Sequence, residues 1–210
     1  MADLDEVSNR IHAQLSRWYE AREKAYYHSR EIIRRSANAI RAAHRREFGV
    51  ASGLLEEAKG MLEETHRSIR QVGVGSLSFV GDAEKEYVEA RATVALVQGQ
   101  PFPDPDELGV SYTAYLKGLG ETVGELRRHL LDRLRAGEIP ECERLLDVMS
   151  DIYDCMVIMD FPDSLTEGLR RTTDMARGIL EKTRGDLTIS IRQQALERRL
   201  GEMEERLART

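Results

Sequence analysis

The sequence lacks the features that mark secreted and membrane-spanning proteins. Its 210 residues include two cysteines, Cys142 and Cys155, without a Cys-x-x-Cys motif, which excludes a disulfide framework and suits a reducing compartment. No apolar run approaches the ~20 residues that a membrane-spanning helix needs. The N-terminal stretch MADLDEVSNRIHAQL is too acidic and polar for a signal peptide. We therefore expect a cytoplasmic protein that does not bind membranes.

Proline is scarce as well. Five prolines stand against many Ala, Leu, Glu and Arg residues, a composition that favours helix along the whole chain, and no segment predicts a convincing strand. A chain of this length can bury a sizeable core in one domain without disulfides. We expect a single all-α domain that covers residues 1–210.

The first helical segment is very long. Apolar residues three, four or seven apart run from Ile11 to Ala43, and no Pro or Gly interrupts them before Gly49. This pattern predicts one helix of about 40 residues. At 1.5 Å per residue such a helix is ~60 Å long, which exceeds what a compact monomer of this size covers and implies a partner subunit.

Six further helical segments follow. The clearest loop is QGQPFPDPDEL at 98–108, which holds three prolines in five residues. Ser76 is the expected N-cap of the segment that begins at Leu77, and Arg184-Gly185 is expected to separate the last two segments. The predicted helices cover about 52–71, 77–98, 106–134, 141–160, 164–183 and the residues after 185.

The net charge of −6 conceals a basic segment. Residues 22–46 hold seven Arg and one Lys against two Glu, a local balance of +6, so the remainder carries −6 − 6 = −12. A basic stretch on an acidic protein suggests a localised contact with a polyanion. The alternative is a solvated helix face whose arginines pair with neighbouring acids, and composition leaves both open.

Within EKEYVEA at 84–90, Glu86 and Glu89 lie three residues apart. On a helical wheel of the predicted 77–98 helix, at 100° per residue, Glu86 lies about 55° from the centre of an apolar stripe. Its carboxylate is therefore expected at the boundary of the core or inside it. A buried lone carboxylate is costly unless it is paired, protonated or bound to a metal. The spacing itself is common in charged helices and does not distinguish solvated charges from a metal-binding pair.

A second acidic pair lies in VMSDIYDCMVIMD at 148–160. The segment is apolar nearly all round, which predicts a helix buried on most faces, yet it contains Asp151 and Asp154. Ion pairs with arginines or a polar subunit interface would explain these acids. The alternative is a metal site, because two helices that offer carboxylates without a His or Cys cluster suit Mg²⁺ or Mn²⁺. Two-metal carboxylate sites hydrolyse phosphodiesters.

Five blocks of the sequence resemble the translin/Trax family, and the archaeal Trax-like branch above all. The resemblance implies a seven-helix protein that assembles into an octameric hollow shell and binds single-stranded RNA or DNA. The blocks occur in the family's order and are SREIIRRSANAIRAAHRR (29–46), EYVEA (86–90), YLKGLGETVGELRR (115–128), DIYDCM (151–156) and GLRRTTDMARGILEKTRGDLT (168–188).

For a Trax-type subunit the resemblance implies an endoribonuclease that cleaves single-stranded RNA, with carboxylate-bound Mg²⁺ or Mn²⁺ activating water. The metal ligands would be Glu86 and Glu89 of the Glu-Tyr-Val-Glu motif and Asp154 of the Tyr-Asp motif. Glu121, which precedes Gly-Glu-Leu, would be a fourth catalytic carboxylate. Translin-type subunits bind nucleic acid without cutting it, and such a binding protein is the alternative function.

The resemblance also implies that basic residues hold the phosphate backbone on the inner surface of the shell. Aromatic residues make up 6% of the chain and do not interleave with the arginines, so backbone charge would contribute more than base stacking. A purely structural assembly, whose arginines pair with acidic neighbours, is a third possibility. The candidate contacts are Arg30, Arg34, Arg35, Arg41, His44, Arg45 and Arg46.

Overall fold

A computed structural model of the chain describes residues 3–73, 75 and 77–209. Within them the chain forms eight helices and no strand, and no helix is long and apolar enough to cross a membrane. The all-α class and the long first helix are confirmed. The helices are α1 (Leu4–His44), α2 (Phe48–Val72), α3 (Ser78–Val97), α4 (Pro105–Leu108), α5 (Tyr112–Arg135), α6 (Ile139–Val157), α7 (Asp163–Thr166) and α8 (Leu169–Ala208).

The contacts divide the chain into two compact units, Met1–Leu119 and Gly120–Thr210, with the division inside α5. In the first unit α1 packs against α2 and α3, and α2 also contacts α3. In the second unit α6 and α7 pack against α8. Each unit buries large side chains completely, for example Ile32 and Tyr87 in the first and Met149 in the second.

Helix α1, with 41 residues, is longer than either helix that packs against it. Its apolar stripe is buried from Ala21 onward, whereas Ile11 and Leu15 are exposed. The 25 residues of α2 extend over only about 38 Å at 1.5 Å per residue. The contact between α1 and α2 ends near Trp18. Its Nε1 donates a hydrogen bond at 2.7 Å to the carbonyl oxygen of Val72, the last residue of α2.

A buried carboxylate ties α3 to its surroundings. Glu84 accepts a hydrogen bond from His66 Nε2 on α2 at 2.8 Å, and two more from the backbone N–H and hydroxyl of Ser111 at 3.0 and 2.6 Å. Burial alone would raise the pKa of Glu84, but the hydrogen bonds from His66 and Ser111 outweigh burial and hold the pKa below its ordinary value. These contacts join α2, α3 and the start of α5 within the first unit.

The predicted helix break at Arg184-Gly185 is wrong, because α8 continues through it to Ala208. Thr183 and Leu187 are buried on either side of Gly185. Their packing outweighs the ~1 kcal/mol by which a helical glycine disfavours helix relative to alanine. Two predicted segments are therefore one 40-residue helix.

Two other predicted helices are shorter than expected. The segment that begins near Ser164 ends after one turn, because Glu167 (φ 49°) and Gly168 (φ 88°) adopt left-handed conformations before α8 begins. Gly109 (φ 68°) likewise separates α4 from α5 within the predicted 106–134 helix. The predicted N-cap Ser76 lies outside the described residues.

Candidate functional site

Helix α3 carries two glutamates at the edge of the core. Glu86 and Glu89 are both half-buried, and a carboxylate oxygen of one lies within 4.8 Å of a carboxylate oxygen of the other. Tyr87 and Val88 between them are fully buried, so both acids lie beside the packed face of the helix, as the wheel position of Glu86 predicts. The Lys85 ammonium nitrogen lies 3.1 Å from Glu86 Oε1 and offsets part of the negative charge.

Helix α5 approaches this turn of α3 at Gly118. A Cβ atom on Gly118 would stand 2.7 Å from the Lys85 carbonyl oxygen and 2.7 Å from Val88 Cβ. A residue with a side chain therefore cannot occupy the position without moving one of the two helices. The first turns of α5 thus lie against the part of α3 that carries Glu86 and Glu89.

Glu121 follows Gly118 by three residues on the same helix, so the two residues share a helix face. Among the residues that the structure describes, Glu86, Glu89 and Glu121 are all half-buried and could hold a metal ion with their carboxylates. Oxygen ligands without His or Cys are the donors that Mg²⁺ and Mn²⁺ prefer. The chemistry of this donor set fits the cation that the family resemblance implies.

Asp154 lies in a different environment from these three glutamates. Its side chain is exposed on α6, and it is not one of the residues of the described chain that make up the carboxylate group. Two residues along the helix correspond to about 200° of rotation. Asp154 therefore points away from the side of α6 on which Met156 packs against Gly120.

The prediction that the helix around 148–160 is buried on most faces is wrong. Helix α6 buries one face, formed by Cys142, Leu145, Met149, Ile152 and Met156. Val157 and Ile158 at its end are exposed. The three aspartates of this helix also lie on its exposed side: Asp147, Asp151 and Asp154.

The sequence interpretation missed the most buried acid of α3. Glu84 is 7% exposed and lies four residues from Val80 and from Val88, which are both buried. That spacing is a signal that could have identified it. Its partners His66 and Ser111 are distant in sequence, so no local pattern links them to it. Its three hydrogen bonds give this carboxylate a structural role.

Four of the predicted basic residues lie on one exposed face at the end of α1. They fall within about 60° of one another at 100° per residue and extend over about 22 Å of helix. Arg30 makes no ion pair within the part of the chain that the structure describes, whereas Arg45 Nη2 lies 2.7 Å from Glu47 Oε2. His44 is half-buried, and Arg46 is exposed in the following turn. The four residues of this arginine face are Arg30, Arg34, Arg41 and Arg45.

Arg35 has a structural role instead. Its Nη1 donates a hydrogen bond to Glu31, and its Nε lies 2.9 Å from Glu57 Oε2 on α2. Arg34 pairs with the same Glu31 at 2.6 Å. The hydrogen bonds from Arg34 and then Arg35 lower the pKa of Glu31 to about 2. Part of the basic segment is therefore an ion-paired face, as the alternative interpretation expects.

Comparisons with known proteins indicate one family. No family model matches the chain. The uncharacterized protein MJ0175 of Methanocaldococcus jannaschii is 30% identical to it over 194 residues, which covers 90% of this chain and 84% of that protein. The structure of AfC3PO in complex with duplex RNA is 32% identical with a TM-score of 0.80, and covers 91% of this chain and 98% of that one. AfC3PO alone matches with the same identity and coverage and a TM-score of 0.78. AfC3PO is translin/Trax-like.

The chain belongs to the translin/Trax family. Apo-NeC3PO, 20% identical with a TM-score of 0.77 over 90% of this chain and 98% of that one, shares the translin/Trax fold. The five translin/Trax blocks lie on five of the six long helices, α1, α3, α5, α6 and α8. The motif residues of the family are thus distributed over both units of the chain.

Proposed function

We propose that this translin/Trax protein is a metal-dependent endoribonuclease that cleaves RNA inside a homo-oligomeric, octameric shell in the cytoplasm. One observation carries the proposal: Glu86, Glu89 and Glu121 are half-buried acids that could hold a metal ion. The sequence likeness to AfC3PO, which was solved with duplex RNA, supports RNA as the substrate.

In this proposal the three glutamates bind Mg²⁺ or Mn²⁺, and Asp154 on α6 is a fourth acid of the active site. A divalent ion there would supply Lewis-acid activation of water and stabilise charge on the leaving oxygen. Half-burial reduces the water around the carboxylates and strengthens their attraction for a cation. Lys85, beside Glu86, limits the repulsion between the acids while no cation is bound.

The exposed arginine face of α1 would hold the phosphate backbone. Such contacts are largely independent of sequence and weaken as salt rises, because bound phosphates release their counterions. Single-stranded RNA is the substrate that the family resemblance implies, with single-stranded DNA as a further ligand. Because AfC3PO was solved with duplex RNA, the test compares single-stranded RNA with duplex RNA.

The deciding experiment incubates the pure protein with a short labelled RNA, single-stranded or duplex, in Mg²⁺ or Mn²⁺ and then in EDTA. We expect products that depend on the metal and disappear with EDTA. Glu86→Gln, Glu89→Gln and Glu121→Gln should abolish cleavage but retain RNA binding, since the arginine face is unchanged. Cleavage by Glu89→Gln at the wild-type rate would contradict the proposal.

Two exposed acids provide matched controls. Asp82 lies on α3 one turn before Glu86, and Asp147 lies on the exposed side of α6 with Asp154. Asp82→Asn and Asp147→Asn should cleave at the wild-type rate. Asp154→Asn tests the fourth acid separately, and its full activity would remove Asp154 from the site while leaving the three glutamates in it.

A translin-like binding protein without catalytic activity is the second candidate function. The exposed position of Asp154 on α6 favours it, because an exposed acid binds a metal ion less tightly than a half-buried one. Salt-sensitive RNA binding with no metal-dependent products would select this function. Failure to bind RNA even at low salt would leave the purely structural assembly.

A further inference from the structure

Two adjacent tyrosines of α1 have different environments. The ring of Tyr26 meets the ring of Phe79 on α3 edge to face, with the ring centroids 5.5 Å apart. Tyr27 is 62% exposed, and its hydroxyl makes no hydrogen bond within the part of the chain that the structure describes. Its ring is tilted by 53° from the ring of His28 at a centroid distance of 6.1 Å. The fold therefore packs the Tyr26 ring and leaves most of the Tyr27 ring exposed.

Tyr27 lies on the arginine face of α1. It precedes Arg30 by three residues and Arg34 by seven, so it lies within about 60° of both around the helix and within about 11 Å of both along it. Glu31 is the main cause that raises the pKa of Arg34, and the Tyr27 phenol adds to this effect, as expected for a phenol close to the guanidinium. The helix thus presents one exposed aromatic ring beside two exposed cations.

An aromatic ring and neighbouring arginines bind complementary parts of a nucleotide. Guanidinium groups bind the phosphates, whereas an aromatic ring stacks on the base, and every base has a π-face for this contact. Bases inside a duplex are paired and stacked on one another, so unpaired bases are the ones that stack on protein side chains. Single-stranded and duplex RNA both carry phosphates. The ring is therefore the part of this surface that can distinguish the two.

The composition of the surface favours RNA over a protein partner. Four arginines and one aromatic ring offer little apolar area, whereas the buried centre of a protein–protein interface is more apolar than the rest of a protein surface. Arg30 makes no ion pair among the described residues and is available to a phosphate. A second copy of this chain on the same surface would bring its own arginines against these.

We propose that Tyr27 is a specificity-determining residue of the arginine face. It stacks on one unpaired base while Arg30 and Arg34 hold the neighbouring phosphates, so that this surface binds single-stranded RNA in preference to duplex RNA. The inference rests on the RNA binding of the proposed function, but not on the metal ion or on cleavage. Stacking by this ring adds to the backbone charge that the sequence of the segment predicts.

Equilibrium binding in EDTA, which prevents metal-dependent cleavage, tests the proposal with a single-stranded RNA and a blunt duplex of equal length. Tyr27→Leu should weaken single-strand binding by roughly 5- to 150-fold, the usual effect of removing one stacking contact, and duplex binding much less. Tyr27→Phe retains the ring and should restore most of the affinity lost in Tyr27→Leu. Equal losses for the two RNAs, or wild-type affinity of Tyr27→Leu for the single strand, would overturn the proposal.

Tyr112 provides a matched control. It is 64% exposed at the start of α5, but its hydroxyl donates a hydrogen bond to Asp106 Oδ1 at 3.1 Å. Asp106 and, more weakly, Asp104 raise its pKa, so its surroundings are acidic and repel phosphates. Tyr112→Leu should bind both RNAs as the wild type does. A loss as large as that of Tyr27→Leu would show that the effect is not specific to the arginine face and would overturn the proposal.

Inorganic polyphosphate, a polyanion without bases, separates stacking from charge. Tyr27→Leu should bind it like the wild type, whereas Arg30→Ala should bind it more weakly. Weaker polyphosphate binding by Tyr27→Leu would mean that Tyr27 acts through the fold or through charge, and would overturn the proposal. A smaller native mass of Tyr27→Leu would likewise overturn it, since Tyr27 would then lie in a subunit contact.

The same measurements separate this inference from the proposed function. Salt-sensitive RNA binding that Tyr27→Leu does not change would refute the stacking contact and leave the nuclease proposal intact. Loss of single-strand preference in Tyr27→Leu, without metal-dependent products from the wild type, would confirm the stacking contact and refute the nuclease. Failure of the wild type to bind either RNA at low salt would refute both.

Discussion

A Cβ atom on Gly118 of α5 would stand 2.7 Å from the backbone carbonyl oxygen of Lys85 on α3. A carbonyl oxygen inside a helix cannot move aside as the end of a flexible side chain can. The distance between the two helices at this point therefore depends on the absence of a side chain at residue 118. Glu86 follows Lys85 directly, Glu89 lies about one turn after Lys85, and Glu121 lies about one turn after Gly118.

Gly118→Ala should destabilise the protein by about 1–3 kcal/mol, the usual effect of extra volume in a packed core, and should reduce RNA cleavage. Gly124→Ala on the same helix is the control, because its Cβ would meet only Ile179 Cδ1 at 4.0 Å. That change should be neutral or stabilise by about 0.5–1 kcal/mol. Urea unfolding of both variants measures the difference, and equal stability would contradict the close-packing argument.

Metal binding should be visible without any substrate. If Glu86, Glu89 and Glu121 bind Mn²⁺ only in the folded state, the ion stabilises the protein by about 2.7 kcal/mol at one hundred times Kd. The melting temperature should rise with Mn²⁺ and return to its starting value with EDTA. Glu121→Gln should remove most of this rise, whereas Asp82→Asn should keep it. A rise that persists in Glu121→Gln would exclude Glu121 as a ligand.

Arg30 and Arg35 should respond differently to replacement by alanine. Arg30 is exposed on the arginine face, so Arg30→Ala should weaken RNA binding equally for unrelated sequences. It should also reduce the slope of log K against log salt by about 0.7–0.9. Arg35→Ala breaks hydrogen bonds to Glu31 and Glu57 and should destabilise the fold by about 1–3 kcal/mol. Filter binding and thermal melting separate the two effects.

Acid should weaken the Glu84 network. The pKa of Glu84 is held below its ordinary value of 4.5 in the folded protein, so the folded state binds this proton less readily than the unfolded chain does. Its contribution to stability is therefore present above pH 4.5 and disappears as the pH falls through the lower, folded-state pKa. Unfolding free energies at neutral and acidic pH measure this loss.

Glu84→Gln should lower stability at neutral pH and flatten the acid dependence, because the side chain can no longer ionise. Glu107→Gln, an exposed glutamate on α4, should leave both unchanged. A Glu84→Gln profile that parallels the wild type would show that other acids cause the loss.

The helical class of this protein follows from local properties of its sequence. The long α1 and the position of Glu86 beside an apolar face were predictable, since both depend on spacing between residues within a few turns of one helix. Family membership was predictable as well, because five ordered motif blocks retain their residue types.

Other features depend on residues that are distant in the chain. The hydrogen bonds of Glu84 to His66 and Ser111 join residues separated by 18 and 27 positions, and no local pattern indicates them. The continuation of α8 through Gly185 depends on packing that local propensity does not include. The prediction that α6 is buried on most faces failed because composition gives the number of apolar residues but not the number of neighbouring helices.

The sequence by itself thus determined the all-α class and which side chains could bind a cation or a phosphate. The tertiary structure alone decided which of those side chains are free to bind a metal ion or RNA and which are engaged in the fold. It placed Arg35 between two glutamates, left Arg30 exposed, and made Glu121 half-buried but Asp154 exposed. Whether a side chain can bind a ligand depends on its burial and on its ion pairs with other helices. Both arise only when segments that are distant in sequence pack together.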